Sequence, residues 1–325
     1  MKTLYLHIGY PKTGTTGLQE FLVTNADVLA QQGVLVPKTG LLNGAHYQFN
    51  FALNIGVYNG TKPISSPEKL KTELSREIDA SPCERIIISS EYFSTAKNLT
   101  DIRAYFSDYD VKIIVYLRRH DLALESAYAQ VEKMIKNPPW DQSIESYALY
   151  SLCTEDDYHN YLQTLRRWSN AFGRDALIVR PFEKEQNKPD LYADFMYLIG
   201  AIDGPELVRP KSLNTSLGRE TLTAIRMVRG MDLPTSVIDT IVSRLIHTNG
   251  NTPGERYFSP AIRMAIYNKY RYAYSVIAGE YLGRSDGIFF KAPLPKLTDP
   301  WSPPIEVKPR QVMECILKAI AVPRN

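Results

Sequence analysis

Cysteine is scarce in this sequence. Cys83, Cys153 and Cys315 are odd in number and scattered over 325 residues. They form neither a disulfide framework nor the paired spacing of a metal site, so a reduced, cytoplasmic setting and no bound metal are expected. Long apolar runs are missing as well. The longest, "VKIIVYL", falls far short of the ~20 residues that a membrane-crossing helix needs. The start, "MKTLYLHIGYPK", has one early lysine, a short apolar run ending at Gly9 and no small-residue cleavage site, so no signal peptide is expected. Charge of one sign is also lacking. A net charge of +3 supports no general grip on nucleic acid, although local basic clusters leave room for peripheral membrane contact. No Gly- or Ser-rich linker and no internal repeat divides the chain. A single domain over 1–325 is therefore expected, with an α/β core at 1–200 and a mainly helical region at 201–325.

Hydrophobic residues make up 44% and charged residues 22%, ordinary values for a globular chain. The first half alternates two periodicities. Buried strands are expected at 3–8, 34–37, 85–90, 111–117 and 176–180. Helices are expected at 15–32, 67–80 (Ser66 as N-cap, Pro67 at the first helical position), 98–108, 121–136 and 156–172. Apolar strands separated by helices of this length imply α/β architecture, a central parallel sheet flanked by helices. Beyond about 188 the strand signals fade. Helices are expected at 189–199, 218–230, 234–247, 259–283 and about 309–321.

The stretch "IGYPKTGTT" (8–16) joins the first strand to the first helix. At that position Gly9 and Gly14 let the backbone approach a ligand, and the helix start offers unpaired N–H groups to an anion. Thr13, Thr15 and Thr16 add hydroxyls, and Lys12 adds a charge. The spacing follows the triphosphate loop G-x-x-x-x-G-K-[ST] only in part, because position 15 is threonine and the phosphate-contacting lysine is absent. An isolated G-x-P-K-x-G is equally the sequence of a tight turn with a surface lysine. A second cluster, "YLRRHDLALESAY" (116–128), follows the strand 111–117. Arg118 stands at that strand's carboxyl end, and Ser126 lies eight residues on. A guanidinium and a hydroxyl suit a phosphate monoester. Alone, the two read first as a surface salt-bridge residue and a small helix residue, and it is their combination with the first loop that carries weight.

In "YPKTGTT" and "LRRHDLALES", and in their order and separation, the sequence resembles the sulfotransferases that use 3′-phosphoadenosine 5′-phosphosulfate (PAPS). "SSEYF" and "YLGRSDGIFF" resemble the bacterial branch. The resemblance covers roughly residues 1–200. It implies a P-loop-like sulfotransferase fold and PAPS as co-substrate, with no metal. Lys12 would face the oxygen bridging sulfur and phosphorus, residues 13–16 would hold the 5′-phosphate, and Arg118 with Ser126 the 3′-phosphate. It also implies an acceptor with a free hydroxyl, on a carbohydrate, glycolipid or other small molecule. Two residues suit the base that such an acceptor needs. Glu91 follows the strand 85–90 and suits a helix cap too. His46, in "NGAHYQFN", suits plain packing among aromatic residues too. Glu91 is slightly preferred. Closure over the nucleotide is expected from "VRPKSLNTSLGRE" (208–220), with Lys211 and Asn214, although this departs from the family's Arg-Lys-Gly pattern. A nucleotide kinase-like enzyme and a non-catalytic nucleotide-binding module remain as alternatives.

Overall fold

The computed structural model describes residues 1–55, 65–134, 139–140, 143–154, 159–210, 217–248, 256–301, 303, 310, 313–314 and 316–317. By its contacts the chain divides into two compact units. One comprises Met1–Arg119, Asp156–Lys211 and Arg271–Pro293, and the other His120–Glu155, Ser212–Tyr270 and Leu294–Asn325. The second unit thus takes in residues 120–155 as well as much of the C-terminal part.

The first unit holds a sheet of five parallel strands: β1 Thr3–His7, β2 Val34–Leu35, β3 Arg85–Ser89, β4 Asp110–Leu117 and β5 Leu177–Pro181. Their spatial order is β2-β3-β1-β4-β5. The register pairs Leu6 with Ile88 on one side and with Ile113 on the other. The strands are nearly continuous apolar runs because both faces are covered. On one face Ile87, Ile114 and Tyr116 pack with α1 (Thr15–Thr24), α2 (Ala26–Gln31) and α9 (Leu191–Leu198), through Leu18, Phe21, Leu22, Leu29, Phe195 and Met196. The alternate residues Leu4, Leu6, Ile86, Ile88, Ile113 and Val115 point the other way and are just as buried. α3 (Tyr47–Ala52), α4 (Pro67–Asp79), α5 (Leu99–Tyr105) and α8 (Tyr161–Phe172) also belong to this unit, with buried Phe49, Leu70, Ile102 and Trp168. Ser66 caps α4 as expected, its Oγ accepting the Lys69 N–H at 3.3 Å.

The expected single helix over 15–32 is two. Asn25 breaks it: its Nδ2 donates to Phe21 and Val208 carbonyls at 2.7 and 2.9 Å, and its Oδ1 accepts the Val208 N–H at 2.8 Å. This amide clasp ties the chain after α9 to the α1–α2 junction.

The second unit contains α6 (His120–Met134), α7 (Ile144–Cys153), α10 (Arg219–Arg229) and α11 (Thr235–Thr248). The first part of α12 (Pro260–Leu282) also belongs to it, and the rest of that helix to the first unit. Three carboxylates of α6 meet arginines from later in the chain. Asp121 pairs with Arg263 at 3.2 Å, Glu125 with Arg256 at 2.9 Å and Glu132 with Arg226 at 2.7 Å. Glu125 also accepts the N–H groups of Tyr257 and Phe258 at 2.6 and 3.0 Å. His120 is buried and stacks on Tyr270 with ring centroids 3.6 Å apart. The expected helix at 309–321 falls mostly outside the described residues.

Candidate active site

In an open parallel sheet, ligands bind beyond the carboxyl ends of the strands, where successive connections run in opposite directions. Here that place lies between neighbours β1 and β4: the chain leaves β1 toward β2, and leaves β4 toward β5.

β1 ends with the Ile8 N–H on the Ile114 carbonyl at 3.0 Å. The loop that follows has three residues in the left-handed region, Gly9 (φ 52°), Lys12 (φ 67°) and Gly14 (φ 76°). Lys12 holds a conformation that is uncommon for a residue with a side chain. Thr13 closes the loop, giving its hydroxyl (2.5 Å) and its N–H (3.3 Å) to the Tyr10 carbonyl. Thr13 was expected among the ligand donors, but both its donors are spent on the loop itself. Gly14 then starts α1 with no side-chain cap. Thr15, Thr16 and Gly17 form the first turn, whose N–H groups no helical carbonyl reaches.

Glu91 enters from β3. It opens a 3₁₀ turn, Glu91–Thr95, and its Oε2 accepts the Thr15 hydroxyl at 3.0 Å. Gly9 makes this approach feasible. A Cβ there would lie 2.9 Å from Thr15 Cγ2 and 3.0 Å from Glu91 Cα. Arg118 enters from β4. Its guanidinium donates to the Lys12 carbonyl at 2.9 Å and lies over the Phe182 ring at 5.7 Å. Its own carbonyl accepts the Tyr161 hydroxyl at 2.9 Å. Lys12, Thr15, Glu91 and Arg118 are thus gathered at one sheet edge, Thr15 buried and the other three partly exposed.

His46 is built differently. It is 1% exposed, and both ring nitrogens are engaged by backbone. Nε2 donates to the Pro37 carbonyl at 3.0 Å, and Nδ1 accepts the Ser89 N–H at 3.1 Å. Burial pushes its pKa down to about 4. The ring is a neutral brace that fixes the backbone two residues before Glu91. His7, also buried, is pushed down to about 3 by the same cause and meets the Ser89 hydroxyl through Nδ1 at 2.8 Å.

Ser126 lies two turns into α6 and is partly exposed. Lys211 and Asn214 lie outside the described residues. Arg209, beside them, is held in ion pairs with Asp190 and Asp203.

One feature at this edge had no role in the sequence reading. Residues 288–293 form a strap, anchored by the buried rings of Phe289 and Phe290 and by a series of main-chain hydrogen bonds. Glu183, just past β5, accepts the N–H groups of Lys291 and Ala292 at 2.6 and 3.1 Å. Arg119 donates to the carbonyls of Ala292 and Pro293 at 3.3 and 2.8 Å. Gln186 donates to the Phe289 carbonyl at 2.8 Å, and Arg284 to those of Ile288 and Phe289 at 2.9 and 3.1 Å. The motif "YLGRSDGIFF" carried the hint, through Arg284 and the two phenylalanines.

Among the described residues, no group of three or more His, Cys, Asp or Glu is arranged for a metal, and no helix is long and apolar enough to cross a membrane.

No family model matches the sequence. An uncharacterized protein from Archaeoglobus fulgidus is 28% identical over 206 residues, 61% of this chain and 54% of that protein. The chain therefore spans about half the length of the curated relative it matches. Among solved structures, a sulfotransferase from Alicyclobacillus acidocaldarius aligns with a TM-score of 0.41 at 16% identity, over 74% of this chain and 95% of that one.

Proposed function

We propose that this protein transfers the sulfuryl group of PAPS to a hydroxyl of a carbohydrate, glycolipid or other small acceptor. The observation that carries this reading is the convergence of Lys12, Thr15 and Arg118 at one edge, with the carboxylate of Glu91 on the Thr15 hydroxyl. A loop of left-handed residues before a helix start suits a phosphate, and the glycine-only approach at Gly9 brings a carboxylate up to it. Lys12 and Thr15 fit the phosphosulfate end of the nucleotide, and Arg118 its 3′-phosphate.

Each residue then has a distinct task. N–H groups of the first turn of α1, with the hydroxyls of Thr15 and Thr16, hold the 5′-phosphate. Lys12 supplies positive charge to the bridging oxygen, where charge grows as the S–O bond breaks. Arg118 takes the 3′-phosphate. The resemblance in sequence adds Ser126 to that task, and Lys211 and Asn214 to closure. Glu91 accepts the acceptor's proton as the new O–S bond forms, and adenosine 3′,5′-bisphosphate leaves. His46 takes no proton in this reading, because neither ring nitrogen has a free position.

Thermal-shift titration with adenosine 3′,5′-bisphosphate, ATP and NAD tests the nucleotide, and labelled sulfuryl transfer from PAPS to a panel of sugars and phenols tests the reaction. Stabilisation by ATP with magnesium but not by the bisphosphate would overturn the reading in favour of a kinase-like enzyme. Bisphosphate binding with no transfer to any acceptor would leave a binding module.

A further inference from the structure

The hydroxyl of Thr15 stands at a junction. It belongs to the first residue of α1, whose unpaired N–H groups suit an anion, yet it donates to Glu91 at 3.0 Å. A threonine hydroxyl has one hydrogen to give. It serves the carboxylate or an incoming anion, not both. Glu91, when ionised, can only accept. A bound anion at the helix start and the carboxylate therefore compete for the same hydrogen.

The packing makes the contest local. Gly9 lies against both Thr15 Cγ2 and Glu91 Cα, so the two side chains are held side by side by backbone. Glu91 is fixed from behind as well. The Ser90 N–H binds the His7 carbonyl at 3.1 Å, and the Ser94 N–H the Ile8 carbonyl at 3.2 Å. The carboxylate does not need to move for the exchange. Only the threonine O–H has to rotate, and that costs little.

We propose that Thr15 is a donor switch: its hydroxyl engages Glu91 while the anion site is free, and turns to the phosphosulfate when the nucleotide binds. Glu91 is released to take the acceptor's proton only once the sulfuryl donor is in place. This rests on the nucleotide reading above and adds to it an order of events. Thr15 is a positioning residue in this scheme, and Glu91 is the group that meets the acceptor. The arrangement also protects the nucleotide-free site, whose carboxylate stays tied.

Difference infrared spectroscopy of the carboxylate stretch tests the switch, with adenosine 5′-phosphosulfate as the probe ligand and Glu91→Gln to assign the band. The Glu91 band of the wild-type protein should shift when the ligand is added. In Thr15→Val the band of the free protein should already stand near the ligand-bound position, and adding ligand should move it by less than half the wild-type shift. Thr15→Ser keeps the hydroxyl and should restore the wild-type pattern. A wild-type band that stays still on binding overturns the proposal. So does a Thr15→Val band that moves as far as the wild-type one, because the ligand's charge alone would then explain it. Binding is followed separately by calorimetry in the same samples. Failure of both adenosine 5′-phosphosulfate and PAPS to bind would overturn the nucleotide reading itself, and the switch with it.

Discussion

The guanidinium of Arg118, just past β4, donates to the main-chain oxygen of Lys12, in the loop after β1, at 2.9 Å. One arginine thus supports the very turn that carries the lysine, and that lysine sits in a backbone conformation that costs energy without support. The two basic turns act as one piece, with consequences for how each should respond to substitution.

Lys12→Ala should lose ~10²–10³ in kcat while nucleotide affinity falls much less, because in the proposed transfer the lysine meets charge that develops in the transition state. Steady-state kinetics beside calorimetric titration separates the two. An unchanged kcat would remove Lys12 from the mechanism.

Arg118→Ala should weaken binding of nucleotides bearing a 3′-phosphate by ~1.5–3 kcal/mol, the usual loss for a charge-assisted hydrogen bond. Because Arg118 also supports Lys12, kcat should fall too, a signature that a remote phosphate contact would not give. Adenosine 5′-phosphosulfate, which has no 3′-phosphate, should lose much less affinity than PAPS. Equal losses for both ligands would mean damage to the loop rather than loss of a phosphate contact.

Glu91→Gln should keep the nucleotide site and lower transfer by ~10²–10⁴, the range for a general base. His46→Ala should act elsewhere. It leaves the Pro37 carbonyl and the Ser89 N–H without a partner, and ~1–3 kcal/mol of stability should go for each buried group stranded. Urea denaturation of both variants, set beside their transfer rates, distinguishes a base from a brace. A stable His46→Ala protein with a severe loss of kcat would reverse the assignment.

Acid should destabilise the fold through His7 and His46. Burial lowers their folded values to about 3 and about 4. In the unfolded chain both titrate near ~6.5, so below that pH the unfolded state binds two protons that the folded state refuses. Their stabilising contribution is complete above about 6.5 and falls as pH drops, by up to ~2.7 kcal/mol per pH unit while both groups differ. Denaturant midpoints measured from pH 7 to pH 4.5 read this directly. His46→Gln should remove about half of the slope, and an unchanged slope would exclude His46 as a source.

Much of this was legible in the sequence, for identifiable reasons. β4 announces itself as "VKIIVYL" because both its faces are covered, and α4 because Ser66 and Pro67 mark its start. Lys12 and Arg118 stand in short motifs, and strand order then brings them together. The misses have a common cause. α7 is capped by Ser143, whose Oγ accepts the Ser146 N–H at 2.9 Å, but the exposed Leu149 and Tyr150 blur the stripe of Ile144, Tyr147 and Ala148. Asn25 interrupts α1 through a partner 183 residues away. The Thr15–Glu91 bond joins residues 76 apart, and nothing local to either names the other. His46 was ambiguous because a sequence shows a histidine's chemistry but not its burial.

The strap 288–293 is held through its carbonyls and N–H groups, by Glu183, Gln186, Arg119 and Arg284. Beyond the buried Phe289 and Phe290, such a clasp reads the path of the chain and ignores its spelling. Positions 291 and 292 are free to drift through most of the amino-acid alphabet without loosening it. Proline is the exception at both, since each gives its N–H to Glu183, and the natural proline stands one place later, where only a carbonyl is used. The strap is also coded by length: one residue inserted between Phe289 and Lys291 would put every later N–H and carbonyl out of step with its partner. Homologous chains should therefore vary in letters at 291 and 292, keep apolar residues at the buried positions 289 and 290, and agree in count.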